Sequence, residues 1–213
     1  MTRSLKLELM DDPEIPERIL RDFYTDLARL NHILGHTQEI ESRIRDPLPS
    51  TVLDIGCGQG ALLAKLRDDL GVRVQGVDLR AAPHNGNGVE IQIADATSDL
   101  LPASDVAICV LTVHHLSEDQ VVALIRNVGR SSPRLIILDL VRHPLPLALY
   151  STVMRPLISR LVLQDGIQSI RRAYTPEELR ALVVRGLAGT NAIFEQWVSP
   201  IYAKQVIDIS YRA

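Results

Sequence analysis

This chain of 213 residues has few aromatic side chains, two cysteines and no long uninterrupted apolar run. Aromatic residues make up 4% of the chain, so its core must be built mainly from aliphatic side chains. Cys57 and Cys109 lie in or beside apolar runs, which does not indicate a disulfide framework. Because the N-terminus also lacks the apolar core of a signal peptide, we expect a reduced, cytoplasmic protein.

The chain has no excess of basic charge and no segment typical of a membrane span. Its formal net charge is -3 at pH 7, which gives no overall attraction to nucleic acid. The most apolar stretch, residues 143–163, is interrupted by Pro146, Arg155, Pro156 and Arg160, so stable membrane insertion is not expected. We expect a small-molecule substrate and no nucleic-acid partner. The oligomeric state stays open, with a homodimer among the options.

Strand-like apolar runs alternate with amphipathic helical patterns along most of the chain. This alternation predicts an α/β fold with a doubly wound, Rossmann-like sheet whose strands are mostly parallel. Two helical patterns, at residues 14–34 and 37–45, precede the first strand. The last two strand-like runs, at residues 191–198 and 202–211, have no helix between them, which predicts an antiparallel hairpin at the C-terminal edge of the sheet.

A glycine-rich turn follows the first predicted strand in the stretch TVLDIGCGQG. Gly56, Gly58 and Gly60 separate this strand from the next helical pattern, where the missing side chains let a ligand approach the backbone. In open α/β sheets, ligands bind beyond the carboxyl ends of the strands, close to such a turn. A glycine-rich turn alone does not identify the ligand.

Three acidic residues narrow the choice of ligand. Asp78 ends the second strand, about 20 residues after the glycines, where a carboxylate accepts hydrogen bonds from ribose hydroxyls. Asp95 follows the third strand and suits an exocyclic amine of a purine. Asp54 lies beside the turn and favours a positively charged group over a pyrophosphate. A nucleoside that carries a cationic amino acid satisfies all three positions.

These segments resemble the four motifs of the class I S-adenosylmethionine-dependent methyltransferases, in the stretches VLDIGCGQG, GVDLR, IADA and SDVAICVLTVHHL. The resemblance covers residues 50–142 and is strongest to the small-molecule and quinone-type branch. It implies S-adenosylmethionine as cofactor and S-adenosylhomocysteine as product. It further implies that the methionine part lies against Asp54 and the glycines, the ribose against Asp78, and the adenine against Asp95 and Ala96. The same motifs add Cys57, Leu79 and Leu111 to the cofactor-binding residues.

With this resemblance, the chain is expected to form one methyltransferase domain of four consecutive parts. The parts are an N-terminal helical segment (1–47), a cofactor-binding core (50–142), a helical cap (143–173) and a C-terminal helix with a hairpin (174–213). Capping boxes mark two helix starts, at Ser117 with Gln120 and at Thr175 with Glu178.

His114 and His115 are the candidate catalytic residues, because they follow the fourth strand beside the expected cofactor. A histidine titrates near neutral pH and can take a proton from a hydroxyl or amine acceptor. Position favours His114 as the base, whereas His115 is more easily explained by closure of the turn before Ser117. A metal centre is not expected, since adjacent histidines rarely converge on one ion and no nearby residues complete a ligand set.

The cap carries apolar residues at helical spacing, which belong either to the core or to the wall of a substrate pocket. They are Leu147, Tyr150, Met154, Leu157 and Leu161. A wall of this kind suits a flat or lipophilic substrate. The candidate substrate-binding residues are Tyr24, His36, Tyr150, Met154, Arg171 and Tyr174.

The favoured function is O-methylation of a small lipophilic or aromatic hydroxylated substrate. C-methylation of a quinone or polyketide precursor, and a non-catalytic role as a partner or regulator that binds the cofactor, stay open. A nicotinamide-dependent dehydrogenase would need G-x-G-x-x-G in the turn and no Asp54 facing a pyrophosphate. A DNA amine methyltransferase would need an Asn/Asp-Pro-Pro-Tyr turn where this chain has LTVHH.

Overall fold

The computed structural model describes residues 1–9, 14–80 and 86–211, which form helical layers around a sheet. The helices are α1 (Glu17–Ile33), α2 (His36–Ile44), α3 (Ala61–Leu70), α4 (Glu118–Val128), α5 (Pro144–Val153), α6 (Arg160–Arg172) and α7 (Pro176–Leu187). The strands are β1 (Thr51–Ile55), β2 (Arg73–Asp78), β3 (Ile91–Ile93), β4 (Val106–Val110), β5 (Arg134–Leu140), β6 (Ile193–Val198) and β7 (Lys204–Ser210). Both predicted capping boxes are present, at the starts of α4 and α7.

Seven strands of the described residues pair in the order β3-β2-β1-β4-β5-β7-β6. The strands from β3 to β5 are parallel to their neighbours, whereas β7 is antiparallel to both β5 and β6. The direction of winding reverses between β1 and β4, and this reversal leaves a crevice at their carboxyl ends. The predicted doubly wound sheet with an antiparallel edge hairpin is therefore confirmed.

Helices cover both faces of the central strands, which explains why those strands are mainly apolar. On β5, Leu135 and Ile137 pack in one cluster with residues of α4 and α7. Ile136 and Leu138 point to the other face and pack in a second cluster with residues of α2 and α3. With both faces buried, the sheet is a rigid platform for the residues at its carboxyl edge.

The predicted helical cap contains two helices, and the break between them divides the apolar stripe. α5 ends at Val153, and Ser159 caps the start of α6 by accepting a hydrogen bond from the backbone of Val162. Tyr150 and Met154 pack inward against an apolar cluster of α1 and α6. Leu157 lies in the connection and is 69% exposed. The expectation of a continuous stripe was wrong at Leu157, since the break in the helix ends the periodicity that predicted it.

The first nine residues, which we call the N-terminal strap, lie across α6 and the turn after β4. The Arg3 guanidinium donates hydrogen bonds of 3.1, 2.9 and 2.6 Å to the carbonyl oxygens of His114, Leu116 and Arg172. It also lies 3.9 Å from the centre of the Tyr174 ring. These contacts tie the strap to the part of the sheet edge where the candidate catalytic residues lie.

Among the helices of the described residues, none is both long and apolar enough to cross a membrane.

Candidate active site

A cavity of about 790 Å³ opens at the carboxyl ends of β1, β2 and β4, between the sheet and helices α1, α5 and α6. Its volume is within the usual range for sites that bind small molecules or cofactors. The predicted cofactor residues that line it are Asp54, Gly56, Cys57, Gly58, Asp78, Leu79, Asp95, Ala96 and Leu111. Gly60 lies outside the lining, at the N-cap of α3. The residues predicted from the motifs therefore converge on one site.

Two glycines of the turn have positive φ angles and no space for a side chain. Gly56 has a φ of 74°, and a Cβ atom there would lie 2.4 Å from side-chain atoms of Thr112. Gly58 has a φ of 55°, and its Cβ atom would lie 2.8 Å from the Tyr24 ring. Side chains from two other segments thus approach the turn directly, and they hold it in a conformation that larger residues adopt only with strain.

Asp54 is the most deeply buried charged group of this turn, with 3% of its surface exposed. Burial raises the pKa of its carboxyl group well above the ordinary value, and the nearby Asp78 adds to the rise. Its Oδ1 atom has no hydrogen-bond partner among the described residues. A buried carboxylate oxygen without a partner is costly, so this position fits a cationic group of a ligand.

Asp78 holds the glycine turn in place from the end of β2. Its Oδ2 atom accepts a hydrogen bond of 2.8 Å from the Gly58 backbone, and its Oδ1 atom accepts one of 3.1 Å from the Arg80 backbone. An ionised carboxylate offers about four lone-pair positions, so these two bonds leave capacity for hydroxyl donors. Asp78 therefore fits a ribose while it also shapes the loop.

Asp95 is engaged in a local turn beside the cavity. Its Oδ1 atom accepts hydrogen bonds from the backbone and the hydroxyl of Thr97, at 2.8 and 2.6 Å. This turn holds Asp95 and Ala96 in the cavity wall. Nearby, the side chain of Leu79 is 66% exposed and lies at the rim.

Leu111 and Cys57 line the floor of the cavity. Leu111 has a φ of 54°, which is rare for a residue with a branched side chain and stores backbone strain at the end of β4. Burial is the main cause of a raised pKa for the Cys57 thiol, which keeps this side chain neutral. Both residues present neutral surfaces between the acidic groups.

A short 3-10 helix at Val113–His115 carries the two candidate catalytic histidines. His114 is 2% exposed, and its Nδ1 atom lies 2.6 Å from Asp139 Oδ1. The His114 backbone donates a further hydrogen bond of 2.8 Å to Asp139 Oδ2. His115 is more exposed, and its ring lies 4.3 Å from that of His114. Asp139 therefore fixes the conformation of the turn and the orientation of the His114 ring.

Glu8 of the N-terminal strap faces both histidines, which sequence reasoning missed. The Nε2 atoms of His114 and His115 each lie 3.7 Å from one of its carboxylate oxygens. Burial raises the pKa of Glu8 to about 7, against smaller opposing effects that include the charge of His115 and a 2.6 Å hydrogen bond from the Ser169 hydroxyl. No local motif marks Glu8, because its partners are distant in the sequence.

The same three side chains form a possible set of metal donors, which the sequence had not suggested. One ligand atom from each of Glu8, His114 and His115 lies within 4.8 Å of the others. However, the Arg172 guanidinium also lies beside the carboxylate, with Nε 3.6 Å from Glu8 Oε1. A cation in this place competes with a metal ion for the same oxygen, so the Arg172 guanidinium disfavours a metal ion beside Glu8.

Four of the six predicted substrate residues line the cavity, namely Tyr24, His36, Tyr150 and Met154. Burial raises the pKa of Tyr24 to about 12, and it lowers the pKa of His36 to about 4. Both side chains are therefore neutral near pH 7. The remaining wall is apolar and includes residues that sequence reasoning had left unassigned: Phe23, Leu27, Leu30, Leu149, Val153 and Ile170.

Arg171 and Tyr174 lie away from the cavity, contrary to the expectation. Arg171 is on the exposed face of α6, whereas the next residue, Arg172, is buried and turns inward. Tyr174 is buried in the main core, and its hydroxyl donates a 2.8 Å hydrogen bond to the Leu116 carbonyl oxygen. A helix rotates by about 100° per residue, so the inward position at the end of α6 could not be assigned from sequence alone.

Comparison with known proteins gives a consistent result for the central part of the chain. Residues 52–132 match the model of a methyltransferase domain family. Among curated proteins, none is similar enough in sequence to count as a relative.

Solved structures of methyltransferases share the fold at low sequence identity. The plantazolicin methyltransferase BpumL, solved with a pentazolic desmethylPZN analog and SAH, has a TM-score of 0.72 and 15% identity over 96% of this chain and 93% of its own. Human N-acetylserotonin methyltransferase, solved with SAM, has a TM-score of 0.65 and 17% identity over 93% of this chain and 57% of its own. The methyltransferase domain of bacterial CtHen1 has a TM-score of 0.58 and 15% identity over 83% of this chain and 97% of its own.

The role of Asp139 in fixing the histidine turn can be tested by its removal. Asp139→Ala should lower the free energy of unfolding by about 3–5 kcal/mol, because the buried His114 ring and backbone lose their acceptor. As a matched control, Asp208→Ala removes an acid that pairs with Arg134 at 2.7 Å on the same sheet but is more exposed. Its cost should be about 1 kcal/mol. Urea unfolding that gives equal losses for the two variants would contradict this assignment.

Proposed function

We propose that the chain is a class I S-adenosylmethionine-dependent methyltransferase, which its domain match and its fold support, and that it methylates a hydroxyl group of a small lipophilic or aromatic acceptor. One observation carries this proposal. A single cavity is continuous from the acidic glycine turn, along an apolar wall, to the polar cluster of Glu8 and the histidines. A donor and an acceptor that occupy the two ends would meet between them.

The acidic end of the cavity suits the charge distribution of the cofactor. S-adenosylmethionine, when bound, supplies a methyl group that is attached to a positively charged sulfur, and this sulfur becomes a neutral thioether after the transfer. Asp54 would hold the amino group of its methionine part, and Asp78 would accept hydrogen bonds from the ribose hydroxyls. Asp95 and Ala96 would lie at the adenine, and the neutral Leu111 and Cys57 would exclude water beneath it.

The apolar wall supports a lipophilic acceptor rather than a charged one. Tyr24 and His36 are neutral near pH 7, and Tyr150 and Met154 add contacts from the cap. These side chains would orient the acceptor and keep water away from the reacting atoms, which is the main protein contribution to an in-line transfer. Human N-acetylserotonin methyltransferase, which shares the fold, is named for an acceptor of modest size.

The polar cluster supports a hydroxyl as the accepting group. A hydroxyl loses its proton as its oxygen takes the methyl group, so a nearby base promotes the transfer. Sequence position favours His114 as this base, but its Nδ1 atom is held by Asp139 at a distance of 2.6 Å. The more exposed His115 is therefore the better of the two histidines for contact with the acceptor.

Cofactor binding provides the first test. Isothermal titration should show binding of S-adenosylmethionine and S-adenosylhomocysteine with affinities on the micromolar scale. Asp78→Ala should weaken both at least tenfold, because charge-assisted hydrogen bonds contribute about 1.5–3 kcal/mol each. Asp105→Ala is the matched control, since Asp105 caps the amino end of β1 at the opposite edge of the sheet. Heat on addition of NAD, with none from either methionine compound, would contradict the cofactor assignment.

Contact between the cap and the acceptor provides a second test. Met154→Ala should raise the KM for a lipophilic phenol several-fold and leave cofactor affinity nearly unchanged, because Met154 lines the cavity. Leu157→Ala shortens a side chain of the same cap that is 69% exposed, so its KM should match that of the wild type. If Met154→Ala lowers only the melting temperature, the residue belongs to the core. Product analysis by mass spectrometry and NMR distinguishes O- from C-methylation, and no transfer despite cofactor binding would indicate a non-catalytic protein.

A further inference from the structure

The N-terminal strap brings a carboxylate into the wall of the proposed active site. Glu8 lines the cavity together with His114 and His115, although its side chain is only 3% exposed. Specific side-chain contacts hold the strap against the cavity wall. Arg3 binds three carbonyl oxygens, and Gln168 donates hydrogen bonds of 2.9 and 2.8 Å to Ser4 Oγ and to the Lys6 carbonyl oxygen. Glu8 is therefore held in a defined position.

The surroundings of Glu8 balance its two protonation states. On the turn after β4, His114 and His115 face it; on α6, Asp165, Ser169 and Arg172 face it. Burial and the negative charge of Asp165 favour the protonated acid, whereas His115, Ser169 and Arg172 favour the carboxylate. The result is a pKa of about 7, where the group can both accept and release a proton under neutral conditions.

We propose that Glu8 is the catalytic base of the methyl transfer, and that the N-terminal strap is for this reason a part of the active site. This inference rests on the proposed hydroxyl acceptor. In the step, the oxygen–hydrogen bond breaks and the proton goes to the Glu8 carboxylate. The oxygen forms a bond with the methyl carbon, and the carbon–sulfur bond breaks with its electron pair going to sulfur. His115 orients the acceptor beside Glu8, and Asp139 positions the turn through His114.

Acceptors of different acidity separate a proton-accepting role from a structural one. Rates of transfer from radiolabelled S-adenosylmethionine are measured with 4-ethylphenol, which is a neutral phenol at pH 7.5, and with 4-nitrophenol, which is largely ionised there. Glu8→Gln should lower the rate with 4-ethylphenol about 10²–10⁴-fold. The loss with 4-nitrophenol should be at least tenfold smaller, because that acceptor has little need of a base.

The pH profile and a change in the strap give independent readouts. The wild-type rate with 4-ethylphenol should rise through about pH 7, where Glu8 loses its proton. Ser169→Ala removes a hydrogen bond that favours the carboxylate, so the rise should move to higher pH with the same plateau. Arg3→Ala should release the strap and reproduce the selective loss even if Glu8→Gln fails to fold. Lys6→Ala is the control within the strap, since its side chain is exposed.

Each outcome supports or overturns the assignment. Equal losses with both phenols would show that Glu8 is structural, and full activity of Glu8→Gln would show that the transfer does not need its carboxylate. Loss of the wild-type rate on chelation, with recovery on addition of Zn²⁺ or Mg²⁺, would show that the cluster holds a metal ion instead. Wild-type protein that binds the cofactor but methylates neither phenol would contradict the hydroxyl proposal itself, and the role of Glu8 with it.

Discussion

The hydrogen bonds of Asp139 are the contacts on which the polar end of the cavity depends. This buried acid accepts from the backbone and the ring of His114 and from the Leu140 backbone, at distances of 2.6–2.8 Å. These bonds fix the short helix after β4, whose carbonyl oxygens then receive the guanidinium of Arg3. Arg3 in turn fixes the strap that carries Glu8. One acid at the end of β5 thus determines the positions of groups from two distant parts of the chain.

The acidic groups at the two ends of the cavity differ in their hydrogen-bond partners and in the charges around them. Near the glycine turn, Asp54 is fully enclosed, and its Oδ1 atom lacks a partner among the residues that the structure describes. At the other end, Glu8 faces histidines, an arginine and a hydroxyl. The first arrangement suits a ligand that brings a fixed positive charge. The second suits a group that exchanges a proton, and the apolar wall between the two suits an acceptor without charge.

The fold and the cofactor end of the site could be predicted from the sequence, because both depend on local patterns. The capping boxes at Ser117 and Thr175 and the apolar run of β5 each predict the element that forms there. The glycines and Asp54 adjoin the same strand, so one motif is enough to bring them together.

The end of the cavity around Glu8 and the histidines could be predicted only in part, because it depends on contacts between distant segments. Arg171 was predicted as a site residue, yet the phase of α6 turns only Arg172 inward. Leu157 lies in a break between helices beside Pro156, and this proline outweighs the helical spacing that predicted a continuous stripe. Glu8 was missed because nothing near it in the sequence resembles a site. Its role emerges only when the strap packs against α6.

Burial of Glu8 lowers the stability of the folded state near neutral pH. A rise in the pKa of Glu8 from 4.5 to about 7 corresponds to about 3 kcal/mol against the ionised form. Since the folded state binds this proton more tightly than the unfolded chain, the ionisation of Glu8 makes folding less favourable as the pH rises from about 4.5 to 7. An apolar residue of similar size would avoid this loss. A buried acid that destabilises the fold near neutral pH is expected where it takes part in proton transfer. The contacts of the strap hold Glu8 in this position.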